Sequence, residues 1–140
     1  MTKTIYTAEA HVVGGRVQGH GVTSDGALDV QLRPPTEGGG TNPEQLFAVG
    51  YAACFESALG AVARRMKLEP GDTAIDSKVS LVTTEDRAYT LAVTLDVTVG
   101  GLEGDQAVEV VRAAHAVCPY SNATRGNIEV TLTANGAAVT

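Results

Sequence analysis

"TNPEQLFAVGYAACFESALGAVARR", Thr41 to Arg65, decides how the rest of the chain is arranged. Asn42 stands before a proline, which drives it out of α space and suits it to cap a helix with Pro43 in the first position. Glu44 falls in the first turn, where the helix dipole favours a carboxylate. From Leu46 to Phe55 nearly every residue is apolar, so this helix has to be covered on all sides. One antiparallel sheet covers a single face. The simplest cover for the remainder is an identical subunit, which predicts a homodimer with these helices near its interface. Near the middle of the helix sits one thiol, Cys54; the second and last cysteine, Cys118, lies far downstream in "AVCPYS".

On the N-terminal side of the helix, residues 2–13, "TKTIYTAEAHVV", and 16–23, "RVQGHGVT", are rich in strand formers and separated by Gly14-Gly15, a two-residue hairpin signal. "SDG" makes the next turn and "ALDVQLR" alternates as a third strand. "PPTEGGG" then forms a loop, and "EPGD" stops the long helix around Met66 to Leu68. Beyond it, "TAIDSKVSLVTTED" and "AYTLAVTLDVTVG" alternate with period two around a turn at Asp86-Arg87. Ala107, Val110, Val111 and Ala114 repeat at helical spacing, Pro119 begins a short helical turn, and "NIEVTLTA" is a last strand. The order βββ-α-ββ-α-β is an α+β layout with mostly antiparallel strands. A chain of 140 residues suits a single domain over residues 1–140.

The net charge of −6 argues against nucleic acid and anionic membrane surfaces, both of which demand clustered Lys and Arg. The N-terminus lacks the apolar core of a signal peptide, and the apolar run from Leu46 to Phe55 is too short to span a bilayer, so a cytoplasmic location is expected. In that reducing compartment a disulfide is more often transient and catalytic or sensing than a static brace. His11, His20 and His115 are scattered, with no CxxC or HxxxH spacing, and predict no metal site. "EGGGTN" lacks the lysine of a phosphate loop. Arg125-Gly126 reads as an ordinary helix C-terminus.

A lone cysteine in an apolar helix is usually a small hydrophobe in the core. Cys118 changes the balance, because a thiol directly before Pro119 stands at a helix N-terminus, where unpaired N–H groups stabilise a thiolate. Together, "TNPEQLFAVGYAACF", "VCPYSNATRGNIEV" and "GGRVQGHGVTSDGALDVQL" resemble the organic hydroperoxide resistance (Ohr) family, a branch of the OsmC-like fold. The resemblance runs in order over nearly the whole chain. It implies antiparallel sheets around long central apolar helices in an intertwined homodimer, with no bound metal, haem or flavin. It also implies a peroxidase that reduces organic and fatty-acid hydroperoxides and is recharged by a dithiol, such as the lipoyl group of a lipoylated protein. Matched motif to motif, Cys54 is the peroxidatic cysteine and Cys118 the resolving one; Arg16 in "GGR" stabilises thiolate and peroxide, and Glu44 in "NPEQ" orients Arg16.

The chemistry accounts for these residue types. Thiolate, not thiol, cleaves the O–O bond, and a cysteine with pKa near ~8.5 is little ionised at neutral pH. A guanidinium within about 4–6 Å favours the thiolate and keeps its own charge. Taken alone, Arg16 is an exposed hairpin cation. Glu44 and Cys54 are separated by roughly 15 Å along a straight helix, so either the helix breaks, for instance near Gly50, or two subunits share a site. Glu56, two residues past the thiol, is expected to face away from it. Leu46, Phe47, Tyr51 and Phe55 are candidates for a substrate pocket, and singly read as core. The competing readings are a non-catalytic thiol redox sensor or apolar-ligand carrier, an acyl-thioester hydrolase, and a purely structural disulfide.

Overall fold

The computed structural model describes residues 2–140. Three strands open the chain: β1 (Ala10–Val13), β2 (Gly19–Thr23) and β3 (Asp29–Leu32), an antiparallel sheet in that order. The first strand is shorter than the alternation in residues 2–13 predicts. Ala10 pairs with Thr23, the last residue of β2, and the pairing stops with the Ser24 N–H on the Glu9 carbonyl. The turn at Gly14-Gly15 is also not a two-residue hairpin. Val13 pairs with His20, and both glycines take left-handed φ, 79° and 64°. A Cβ on Gly14 would stand 2.1 Å from the Gln18 carbonyl oxygen, so only glycine lets the backbone fold back there. Arg16 therefore lies in the loop between β1 and β2, not in a strand.

After β3 the Pro/Gly loop returns alongside its own start: Thr41 N–H bonds the Gln31 carbonyl, and Arg33 N–H bonds the Thr41 carbonyl. α1 (Pro43–Arg65) follows and runs without a break. Asn42 caps it, its Oδ1 accepting from the Gln45 N–H at 2.8 Å. The other end closes with Lys67 at φ 59°, as Leu68 N–H reaches the Ala63 carbonyl and Lys67 N–H that of Arg64.

β4 (Thr73–Thr83) and β5 (Tyr89–Val99) form a long antiparallel pair. α2 (Gly104–Val117) and the six-residue α3 (Pro119–Thr124) then cross over, so β6 (Glu129–Ala134) returns parallel to β5. β7 (Ala137–Val139), a short strand beyond the expected last one, folds back on β6. The sheet order is β4-β5-β6-β7. The elements bear out the α+β reading, with one parallel pair among antiparallel ones.

The chain divides into two compact units, one running to Leu46 and the other from Phe47 to Thr140. The second holds the main core. Tyr51, Phe55, Leu59 and Val62 recur on one face of α1 and pack with Val93, Leu95, Val97 and Val99 of β5 and with Ala107, Val110, Val111 and Ala114 of α2. Each large apolar side chain sealed this way contributes about 1.5–3 kcal/mol. α1 is long and apolar enough to cross a membrane by length and composition, yet here it serves as the core helix. Its outward side is not covered: Val49 is 71% exposed.

Candidate active site

In the first unit, the Arg16 guanidinium grips the Glu44 carboxylate with two parallel hydrogen bonds, Nη1 to Oε1 at 3.0 Å and Nη2 to Oε2 at 2.9 Å. The β1–β2 loop presents the arginine, and the first turn of α1 presents the acid. Arg16 stays 46% exposed against 18% for Glu44. The hydrogen bonds from Glu44, and then its charge, raise the arginine's already high pKa. A pair this open adds little to stability; its fork geometry instead fixes where the guanidinium points.

In the second unit, Cys54 on α1 and Cys118 between α2 and α3 bring their Sγ atoms to 3.5 Å. Both are free thiols. Cys118 closes α2 and opens α3 at once: its N–H bonds the Ala114 carbonyl and its own carbonyl accepts from the Asn122 N–H. A disulfide needs the sulfurs at about 2.05 Å, so a shift on the order of 1.5 Å joins them.

Their burial is the reverse of what helix patterning suggests. Cys118 is fully buried, while Cys54 is only half-buried. The Cys118 side chain is directed to the core by the turn between two helices, which sequence periodicity does not register. No hydrogen bond from the α3 amides caps the Cys118 side chain, contrary to the expectation from its place before Pro119. The backbone of Tyr120, in the first turn of α3, favours the Cys54 thiolate. Burial outweighs that contribution and, with Cys118 beside it, pushes the Cys54 thiol up. None of the groups in this unit that shift Cys54 carries positive charge.

Tyr120 settles over α1 because Gly50 leaves room. A Cβ on Gly50 would stand 2.9 Å from the Tyr120 hydroxyl and 3.4 Å from its ring. Gly50 thus makes a notch rather than a helix break. The ring lies 5.7 Å from Phe47 and 5.6 Å from Tyr51, centroid to centroid. Phe47, Leu91, Pro119, Tyr120 and Ile128 line an apolar cavity of about 470 Å³. Of the four apolar residues expected at a pocket, Phe47 lines this one, Tyr51 and Phe55 are sealed in the core, and Leu46 belongs to the other unit. Tyr120 and Gly50 escape sequence reasoning, since only their close approach reveals them.

Glu56 faces away from the thiol, its carboxylate accepting from Thr73 Oγ1 at 2.6 Å at the start of β4. His20 meets Asp29 at 2.6 Å on the first sheet, and His115 meets Ser121. Among the described residues no three His, Cys, Asp or Glu side chains gather in a way that could hold a metal ion.

A model of the OsmC-like protein family matches residues 36–133. An organic hydroperoxide resistance protein of Xanthomonas axonopodis pv. citri is 50% identical over 137 residues, 94% of this chain and 95% of that one. The organic hydroperoxide resistance protein OhrB of Bacillus subtilis is 47% identical, covering 91% and 96%. The crystal structure of an organic hydroperoxide resistance protein from Legionella pneumophila superposes with a TM-score of 0.88 at 48% identity, over 93% of this chain and 97% of that one. Fold, thiol pair and sequence likeness converge: the chain belongs to the OsmC-like family, in its organic hydroperoxide resistance branch.

Proposed function

We propose that this protein is a thiol-dependent peroxidase that detoxifies organic hydroperoxides by reducing them to alcohols. The observation that carries the reading is the 3.5 Å contact between the sulfurs of its only two cysteines. One sulfur is reachable and the other is sealed, as an attacking and a resolving thiol require. The relatives' names supply the substrate class, and fatty-acid hydroperoxides are the members an apolar cavity beside Tyr120 suits best.

Cys54 thiolate attacks one peroxide oxygen, the O–O bond breaks, and the departing alkoxide takes a proton to leave as alcohol. Cys54 is left as sulfenic acid. The Cys118 thiol attacks that sulfur, a disulfide forms and water leaves, which protects Cys54 from further oxidation. An external dithiol, a small one or the lipoyl group of a partner protein, then reduces the pair by thiol–disulfide exchange. Because Cys118 is buried, the incoming thiolate attacks Cys54 and releases Cys118.

The thiolate needs a cation that residues 47–140 do not bring to it, and Arg16 supplies it, steered by Glu44. α1 runs unbroken from Pro43 to Arg65, so a break near Gly50 does not bring Glu44 back to Cys54. We infer that the Arg16–Glu44 pair of one subunit serves Cys54 of a second copy. The exposed apolar side of α1 at Val49 favours such a homodimer.

Thiol loss on mixing with an alkyl hydroperoxide tests the reading. Wild type should oxidise rapidly to an intramolecular disulfide and turn over with a dithiol. Cys54→Ser should abolish peroxide cleavage, and Cys118→Ser should allow a single oxidation without added dithiol. Peroxide consumption by Cys54→Ser at the wild-type rate would overturn the assignment.

A further inference from the structure

One turn behind the sulfurs lies a chain of polar groups in an otherwise apolar core. Tyr51, three residues before Cys54, sets its hydroxyl 2.8 Å from Ser121 Oγ, three residues after Cys118. His115, three residues before Cys118, sets Nδ1 2.8 Å from the same Ser121 Oγ. Thr124 Oγ1 lies 3.2 Å from the Tyr51 hydroxyl and donates to the Ser121 carbonyl at 3.3 Å. Tyr51 and Ser121 have no solvent exposure at all.

With the Thr124 proton on the carbonyl, the chain has one continuous direction: His115 donates to Ser121, Ser121 to Tyr51, and Tyr51 to Thr124. Each hydroxyl then both donates and accepts, and none is left unpaired. Apolar residues would fill the same volume without these demands. The placement is what points to a role. α1 meets this segment at the sulfur contact, beneath the Tyr120 ring and, a helical turn away, through the Tyr51 hydroxyl on Ser121 and Thr124. The six residues of α3 make too short a helix to hold its own orientation, so the polar tie at Tyr51, the directional one among these contacts, fixes its rotation. That rotation aims both the Cys118 sulfur and the Tyr120 backbone at Cys54.

We propose that Tyr51, Ser121 and His115 are positioning residues of the thiol pair, holding the first turn of α3 so that Cys118 resolves the oxidised Cys54 before a second oxidation. The inference rests on the peroxidase reading above. Cys54 sulfenate has two fates. Condensation with Cys118 gives disulfide and water; attack on a second hydroperoxide transfers one oxygen, giving sulfinate and alcohol. Loosening α3 slows the first and leaves the second untouched.

The test is the partition between these fates, read by mass spectrometry of wild type, Tyr51→Phe, Ser121→Ala and the control Val97→Ala. Val97 is a core residue of β5 and has no part in the chain. Increasing multiples of tert-butyl hydroperoxide are applied without reductant. Tyr51→Phe and Ser121→Ala each remove a hydroxyl that makes two buried hydrogen bonds, which is expected to raise the sulfinic fraction relative to disulfide at least about fivefold, with Val97→Ala resembling wild type. Variants that partition as wild type does, or a control that matches them, would overturn the inference alone. A wild type that forms no Cys54–Cys118 disulfide would overturn the peroxidase reading and this inference with it.

Discussion

Arg16 and Glu44 are held by two charge-assisted hydrogen bonds at an open surface, whereas Cys54 and Cys118 face each other against the core with the backbone of Tyr120 beside the half-buried sulfur. The first pair has direction and charge but little burial. The second has burial and almost no charge. Burial by itself works against a thiolate, since it disfavours the ionised form. A guanidinium at the surface has nothing to activate. Each region lacks the physical term the other has, and the peroxidase proposed above needs both charge and a shielded sulfur pair.

The sharpest way to break this comparison is to remove the charge and leave the sulfur pair intact. Arg16→Gln is expected to lower kcat/KM for an alkyl hydroperoxide by about 10²–10³, the usual cost of removing an electrostatic stabiliser. The thiol should titrate higher in the variant, which thiolate absorbance against pH would record. Unchanged kinetics would detach Arg16 from the thiol chemistry. Glu44→Gln tests the steering role and should act less strongly, by about tenfold, because the guanidinium keeps its charge and loses only its fixed direction. The melting temperature should hardly move in either variant, since the pair is largely exposed.

On the sulfur side, Gly50→Ala probes the notch beneath Tyr120. The new methyl arrives 2.9 Å from the phenol oxygen, and the ring, itself 37% exposed, is free to swing away. Stability should hold or rise slightly, as alanine is favoured over glycine inside a helix by about 1 kcal/mol. Peroxide reactivity should nevertheless fall about fivefold, because a displaced Tyr120 ring disturbs the apolar cavity it lines with Phe47. Adding Tyr120→Phe removes the clashing oxygen, and recovery in the double variant would tie the loss to that contact. A loss that persists unchanged in the double variant would sever it.

Legibility in the sequence follows the range of each interaction. The helix from Pro43, its Asn42 cap and the alternating strands depend on neighbours a few positions apart, and the pattern of residues predicts them. The length of the first strand does not depend on its own residues: "TKTIYTAE" has strand character, but β2 ends at Thr23 and the pairing stops with the Ser24 N–H on the Glu9 carbonyl. The wide turn at Arg16 arises from Gly14 lying against Gln18, a contact that a two-glycine signal does not distinguish from a tight hairpin. Which cysteine is sealed and which reachable was decided by how α2 and α3 dock, and the Tyr51–Ser121–His115 chain joins three helices. The same holds for Gly50, whose use as a notch is visible only once Tyr120 is laid over it.

The smallest expected effect tests whether His115 contributes as a neutral group. Burial, and next the charge of Arg125, push its imidazole below the ordinary value near 6.5. Arg125 also donates to the His115 carbonyl, the ring faces Phe55 at 6.5 Å, and Ser121 occupies Nδ1, and none of these neighbours favours the cation. Below the ordinary value the unfolded chain takes up a proton that the folded chain resists. Stability from this residue is therefore fully present above about pH 6.5 and declines as pH falls through the interval down to the folded value. The melting temperature of wild type should drop between about pH 7.5 and about pH 5 by a few degrees more than that of His115→Gln. A wild type that lost less than His115→Gln as pH fell would mean that the imidazolium is the favoured form inside the fold. The direction of donation from His115 to Ser121 would survive that result, but the neutral ring would not.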